Sequence, residues 1–228
     1  MKRIFNASFG KYFLRMLLWG MLFLPSFVIG QQFDARQIWT GMSVKMDLNK
    51  KWSTRIEGQY RHENITRDYR YFGEVGIKRE LSKRWDMEVA YRHTVRPDAD
   101  PRKRLMLDFS YGNKKKRDLD IGMRFRLQNS MTSFSGKHTT LARAKLQLGY
   151  NVSKLVDPYV SGEVFFKIIS NNEYRGWRTT AGLEWRISKR MDLKTFARID
   201  TELNVKDPSK NLVYGCMLSY SPKFKKKD

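Results

Sequence analysis

Leu119-Asp120-Ile121-Gly122-Met123-Arg124-Phe125-Arg126-Leu127 is apolar at each odd position and charged or glycine at each even one. A β-strand turns successive side chains to opposite faces, so this stretch has one apolar and one ionic face. In a soluble sandwich the apolar face would meet a second sheet. Here the same alternation recurs almost to the end of the chain, behind a segment with the features of an export signal. That combination predicts an all-β fold, a transmembrane up-and-down antiparallel β-barrel with apolar residues toward lipid and polar ones toward the lumen.

Length and composition fit one barrel. The 228 residues accommodate about 8–12 strands at about 9–11 membrane-crossing residues each. Mean hydropathy is −0.62, which argues against a helical membrane protein and agrees with a barrel, whose hydrophobicity lies in alternation. The net charge of +22 would fit nucleic acid if the cations clustered on a soluble face. They alternate with aliphatic and aromatic residues inside strands instead, so no nucleic-acid partner is expected. Cys216, the single cysteine, permits no intramolecular disulfide and reads as a small apolar residue on a strand.

Residues 1–30 read as a cleaved secretory signal peptide. Lys2, Arg3, Lys11 and Arg15 form a basic start, Met16 to Leu24 an apolar core, and Pro25-Ser26 a break before Gly30. Residues 31–228 are then the barrel domain. Strands are predicted at 38–47, 52–62, 69–80, 85–96, 104–112, 119–127, 139–150, 158–168, 175–187, 191–202 and 211–220. Four similar segments recur between them: Leu48-Asn49-Lys50-Lys51, Leu81-Ser82-Lys83-Arg84, Val152-Ser153-Lys154-Leu155 and Ile187-Ser188-Lys189-Arg190. Gly112-Asn113-Lys114-Lys115 fills the gap in the series. These read as tight polar turns on one rim, with longer connections at 63–68, 97–103, 129–138, 169–174 and 204–210 on the other. Such asymmetry places the turns toward the periplasm. Trp52, Trp85 and Trp185 flank the turns, and Tyr60, Tyr71 and Tyr91 sit near the opposite ends, giving two interfacial girdles. Eleven strands would close with a parallel pair, which is unusual for a bacterial barrel. Leaving 38–47 out of the wall gives ten, and a further strand near 31–37 gives twelve.

Three phrases carry a resemblance: Arg70-Tyr71-Phe72-Gly73-Glu74-Val75-Gly76, Asp157 to Phe165 (DPYVSGEVF) and Glu202 to Pro208 (ELNVKDP). Over residues 31–225 the chain resembles a family of outer-membrane barrels of unknown function, common in Bacteroidetes-type Gram-negative bacteria. The resemblance implies a barrel and an outer-membrane location. It implies no catalytic or binding residue.

The candidate site is the lumen. Strand parity turns inward Arg55, Glu57, Arg70, Glu74, Lys78, Glu88, Arg92, Arg124 and Arg126 from the first half. From the second half it adds Arg143, Lys145, Glu163, Lys167, Arg178, Glu184, Arg186, Lys194 and Arg198. In a narrow barrel such side chains fill the interior, and buried charges require partners. The leading expectation is therefore a structural or passive barrel whose lumen is blocked by ionic side chains. The alternative is a narrow anion-preferring, porin-like pore, its basic excess acting as a selectivity ring. A lipid-modifying enzyme at the rim is the remaining class. It would draw on His62, His93 and His138 with Ser133, Ser135, Asn64 or Asn129. No catalytic signature is present, so no enzyme is expected. Nor is a metal or cofactor: the histidines lack ligand spacing, and Asp98, Asp100 and Asp108 do not form a calcium loop. Expected partners are outer-membrane lipids and, during insertion, the barrel-assembly machinery. The basic turns, together with Lys223 to Lys227, could meet anionic headgroups. Any small-molecule ligand is left open.

Overall fold

The structure is a computed structural model that describes residues 33–63, 69–97, 99–113, 119–169 and 172–222. The proposed signal segment, Lys114 to Arg117 and Lys223 to Lys227 lie outside the described residues. Eleven strands form one closed barrel: β1 (Ala35–Asp47), β2 (Trp52–Glu63), β3 (Tyr69–Glu80), β4 (Trp85–Arg96), β5 (Ala99–Gly112), β6 (Leu119–Thr132), β7 (His138–Tyr150), β8 (Val156–Lys167), β9 (Glu173–Ser188), β10 (Met191–Glu202) and β11 (Lys210–Tyr220).

Each strand pairs antiparallel with the next in sequence, and β1 closes on β11 in parallel, from Ala35↔Asn211 to Val44↔Tyr220. Residues 38–47 are therefore in the wall. Residues 35–37, considered above as part of a further strand, extend β1. The seam also carries a side-chain hydrogen bond, Ser43 Oγ donating to Ser219 Oγ at 3.1 Å. Closure leaves no free sheet edge, so a parallel seam satisfies the backbone as an even-stranded closure would.

The repeated segments at the rim holding the β1–β2 turn, here the lower rim, share one device. In each, the second residue is Asn or Ser, and its side chain accepts backbone N–H groups two or three residues on. Asn49 Oδ1 accepts from Lys51 and Trp52, each at 2.9 Å, and Ser82 Oγ from Trp85 at 3.2 Å. Ser153 Oγ accepts from Val156 at 3.0 Å and Ser188 Oγ from Arg190 at 3.2 Å. A short polar side chain at that position replaces the hydrogen bonds the ladder loses at the turn.

The predicted contrast between short turns and long loops is absent. β5 begins at Ala99 rather than 104 and β6 runs on to Thr132, so the β4–β5 connection shrinks to 97–98. On the lower rim β5 and β6 are separated by 113–118, longer than a tight turn. Strand structure continues into segments whose Pro, Asp and Ser content reads as loop, with a register shift between Thr94 and Arg96.

The inside and outside of the wall are inverted relative to a soluble protein. Ile56, Val75, Ile77, Val89, Leu105 and Leu127 are exposed on the outer face. Trp52, Trp85 and Trp185 are exposed near the lower rim, and Tyr60, Tyr69 and Tyr71 near the upper one. Aromatic side chains touch across strands, Trp85–Tyr111 and Tyr60–Tyr71 each at 5.2 Å between centroids, and along β3, Tyr69–Tyr71 at 5.8 Å. The core lies in the lumen and is largely polar. Glu74, Asp108, Arg126, Gln128, Glu163 and Thr180 are buried there beside Trp39, Phe72, Ala90, Met106 and Val213.

Candidate functional site

The lumen is held by three groups of ion pairs that cross between strands. On β2–β4, Arg55 reaches Glu57 at 2.6 Å, Glu74 at 2.5 Å and Glu88 at 2.8 Å, and Arg92 reaches the second oxygen of Glu74 at 2.5 Å. Glu57 and Glu74 face each other in the register. Like charges in that position repel, and the Arg55 fork between them removes the conflict. Gly76 makes room for this cluster, because a Cβ there would collide with the Glu88 carboxylate.

On β6–β10, Glu163 collects three arginines: Arg124 at 2.9 Å, Arg143 at 2.9 Å and Arg178 at 3.5 Å. Arg178 also donates twice to Asp200, at 2.6 and 2.8 Å. Between these clusters Arg126 makes a bidentate pair with Asp108, both bonds 2.6 Å. Arg126 and Arg143 are direct cross-strand neighbours, and the acids on either side separate their charges. The side chains of Glu74, Glu163 and Arg126 are only 1 %, 4 % and 7 % exposed. At that burial each charge needs a partner, because an unpaired ion there costs several kcal/mol, roughly 3–5 when one member is removed.

The remaining sequence-predicted residues lie toward the rims or beside neutral partners. Lys78 pairs with Asp86 at 2.7 Å, Lys194 with Glu184 at 3.2 Å, and Arg186 with Asp157, all toward the lower rim. Arg70 pairs with Glu63 at 3.6 Å toward the upper rim. Lys145 donates to Gln147 at 3.0 Å and Arg198 to Thr180 at 3.1 Å. Lys167 stands opposite Glu173 in the register and is half-buried.

Inward aromatics are the feature the sequence reading missed. The guanidinium of Arg61 lies 3.6 Å from the Trp39 ring centroid and 4.9 Å from that of Phe72, and Arg92 covers Phe72 at 3.8 Å. Trp39 is reached by Arg198 at 4.8 Å and by Arg178 at 5.8 Å as well. Arg178 stands on β9, three strands from β1, so the Trp39 ring and these cations form a crosspiece over that arc of the lumen. Phe165 lies under Arg143 and Arg178, and Phe196 under Arg198. Phe196 lies flat against the wall because position 215 is glycine: any Cβ there would overlap the ring. Cation–π contacts of this kind contribute about 0.5–2 kcal/mol each, more when desolvated. The available signal was parity, since each of the four shares a face with charged residues of its strand: Trp39 with Lys45, Phe72 with Arg70, Phe165 with Glu163 and Phe196 with Arg198.

The histidines are not brought together. His62, His93 and His138 lie on β2, β4 and β7, each at the parity of the outer face. Among the described residues no hydrogen bond joins one of them to a serine. Ser135 instead bonds Thr132 at 2.7 Å and takes Asp100 as acceptor for its N–H at 3.0 Å. Asn129 donates to Thr140 at 2.9 Å, and Asn64 lies outside the described residues. No group of three potential metal ligands occurs among the described residues.

An eleven-stranded closed barrel with an apolar outer face and an ion-paired lumen defines a β-barrel of porin-like architecture. A family model described as "Protein of unknown function (DUF2490)" matches residues 36–207, and the chain belongs to that family. It is similar in fold to a solved structure described as the NanC porin in a rhombohedral crystal form. The TM-score is 0.51 at 14% identity, covering 78% of this chain and 90% of that one. No curated protein matches.

Proposed function

We propose that the protein is an integral outer-membrane barrel of a Gram-negative bacterium, exported by a cleaved signal peptide, whose lumen is closed at mid-height by its own side chains. Burial carries this reading. Trp39 and Phe72, both inward, are 5 % and 6 % exposed, and Glu74, Asp108, Arg126 and Glu163 are buried at comparable depth. Lumen groups beside a water-filled channel would be wet. The outer apolar face supports the membrane location, and the aromatic bands match the two interfaces. In this reading the protein is a passive wall element that presents its rims, and its partners are the surrounding lipids and the machinery that inserts it.

Conductance tests the proposal. The purified, refolded protein in a planar bilayer is expected to be silent, while heat-modifiable migration on a gel shows that it is folded. Truncating the crosspiece with Trp39→Ala and Phe72→Ala is expected to produce conducting steps. Steady steps from the unmodified protein would overturn closure. Anion selectivity in those steps would then favour the pore reading, in which Arg124, Arg126, Arg143 and Lys145 select. One observation favours that second reading: the upper mouth of the lumen carries arginines in excess of acids.

A further inference from the structure

The strongest unassigned feature is a cavity of about 60 Å³ at the upper mouth, lined by Arg61, Arg70, Arg92, Arg96, Arg102 and Arg104, with Phe72, Thr94 and Asp100. It is built from β2–β5, and its charge placement departs from the rest of the lumen. Arg61 faces Arg70 directly across the β2–β3 ladder, and Arg92 faces Arg104 across β4–β5. Opposed like charges destabilise a sheet. In mid-lumen such pairs are separated by carboxylates. Here Arg92 is paired with Glu74 and Arg70 with Glu63. Among the described residues, no carboxylate comes within ion-pair distance of Arg61, Arg96, Arg102 or Arg104. Arg61 donates to Gln59 at 2.6 Å and Arg104 to Ser130 at 3.2 Å, both neutral acceptors. Asp100, the single acid in the lining, already accepts the Ser135 N–H.

We propose that this mouth is a binding site for a phosphate group, carried by a phosphate monoester. Guanidinium forks bind phosphate oxygens in bidentate fashion, and several of them converge on one small space. The cavity of about 60 Å³ has room for a small oxyanion group. A phosphate monoester near neutral pH carries close to two negative charges on three strong acceptor oxygens. It therefore complements a cluster of opposed cations better than a monocarboxylate. The phosphate enters the cavity and the rest of the ester projects into the mouth. The group could belong to a soluble ester or to a lipid headgroup reaching over the rim.

Calorimetric titration of the purified protein in uncharged detergent at low salt tests the site and does not depend on whether the lumen conducts. The probes are glucose 6-phosphate, detergent micelles doped with phosphatidic acid, and acetate. One site per chain is expected for at least one phosphate probe, with acetate weaker by about tenfold or more. Which probe binds identifies the soluble or the lipid source. The double variant Arg102→Gln/Arg104→Gln should weaken phosphate binding by about tenfold or more, and Arg102→Lys/Arg104→Lys should restore part of it. Lys194→Gln, at the opposite rim, should leave binding unchanged. Heat-modifiable migration checks that every variant is folded. Absence of phosphate binding, equal binding of acetate, or undiminished binding by the folded double glutamine variant would each overturn the proposal.

Discussion

The middle of the lumen and its upper mouth are built from the same residue type at the same strand parity, yet they differ in how the charge is met. In the middle, Glu74 and Glu163 sit between arginines and Asp108 and Asp200 each hold one, at 2.5–3.5 Å. At the mouth, arginines oppose arginines, Glu63 and Glu74 reach only Arg70 and Arg92 of the lining cations, and Asp100 accepts the Ser135 N–H. The first arrangement is what burial requires of charge: each of these acids is paired with arginine. The second is what a site for an external anion requires. An excess of arginine in a barrel therefore says little about function until each cation is traced to its counter-charge. The balanced part of the lumen reads as wall and the unbalanced part as a site.

The comparison can be broken most forcefully at Glu163. Glu163→Leu would leave Arg124 and Arg143 facing each other's charge without their shared acid, and Arg178 with Asp200 alone. The expected loss is about 3–5 kcal/mol, read as a lower urea midpoint for the folded barrel. A loss under about 1 kcal/mol would mean that water already reaches these groups and that mid-lumen is not closed. The outer face gives the next effect. Leu127 is exposed on the side assigned to lipid, and Leu127→Arg should cost about 2–4 kcal/mol near the membrane midplane, measured by refolding into vesicles. Insertion as efficient as the parent's would contradict the assigned facing.

A third substitution separates pairing from mere charge. Replacing Arg126 by Met together with Asp108 by Leu removes both partners of the bidentate pair and leaves no orphan. Stability should stay near the parent or rise, because well-packed apolar pairs often match buried ion pairs. Arg126→Met alone should be clearly worse than the double change. If the single and double variants unfold alike, the pair does not act as a unit.

Much of this architecture was legible in the sequence, for a specific reason. Alternation of period two runs through most of the wall, broken by register shifts only in the β4–β5, β8–β9 and β9–β10 ladders, so Ile121, Met123, Phe125 and Leu127 declare one face and Arg124 and Arg126 the other without knowledge of their neighbours. The turn repeat was legible because its second position, Asn49, Ser82, Ser153 or Ser188, carries the hydrogen bonds locally. Features that depend on pairing between strands were harder to see. The parallel seam follows from the β1–β11 register, which no local pattern encodes. The extension of β5 through Asp100, Arg102 and Arg104 was obscured by Pro97 and Pro101, which read as loop. The mouth cavity draws on four strands, so its members become neighbours only once the β2–β5 registers are known. Trp39 and Phe72 were passed over because an aromatic on an ionic face looks like noise until the arginine stacked on it is located.

The smallest expected effect is also the sharpest test of the difference between the two regions. Arg102→Gln/Arg104→Gln removes two cations that no described carboxylate meets and relieves the opposition of Arg104 to Arg92. If these residues serve a ligand rather than the wall, the ligand-free barrel should change by no more than about 0.5 kcal/mol, or gain slightly at low ionic strength. Added salt should narrow even that difference, because repulsion between partly solvated cations is screened over about 10 Å at 0.1 M. Urea unfolding of parent and variant at low and high salt reads both quantities. A cost comparable to that of Glu163→Leu would place the mouth arginines in the same structural class as the buried ones. Stability that holds while phosphate binding is lost assigns the mid-lumen charges to the fold and those at the mouth to a ligand.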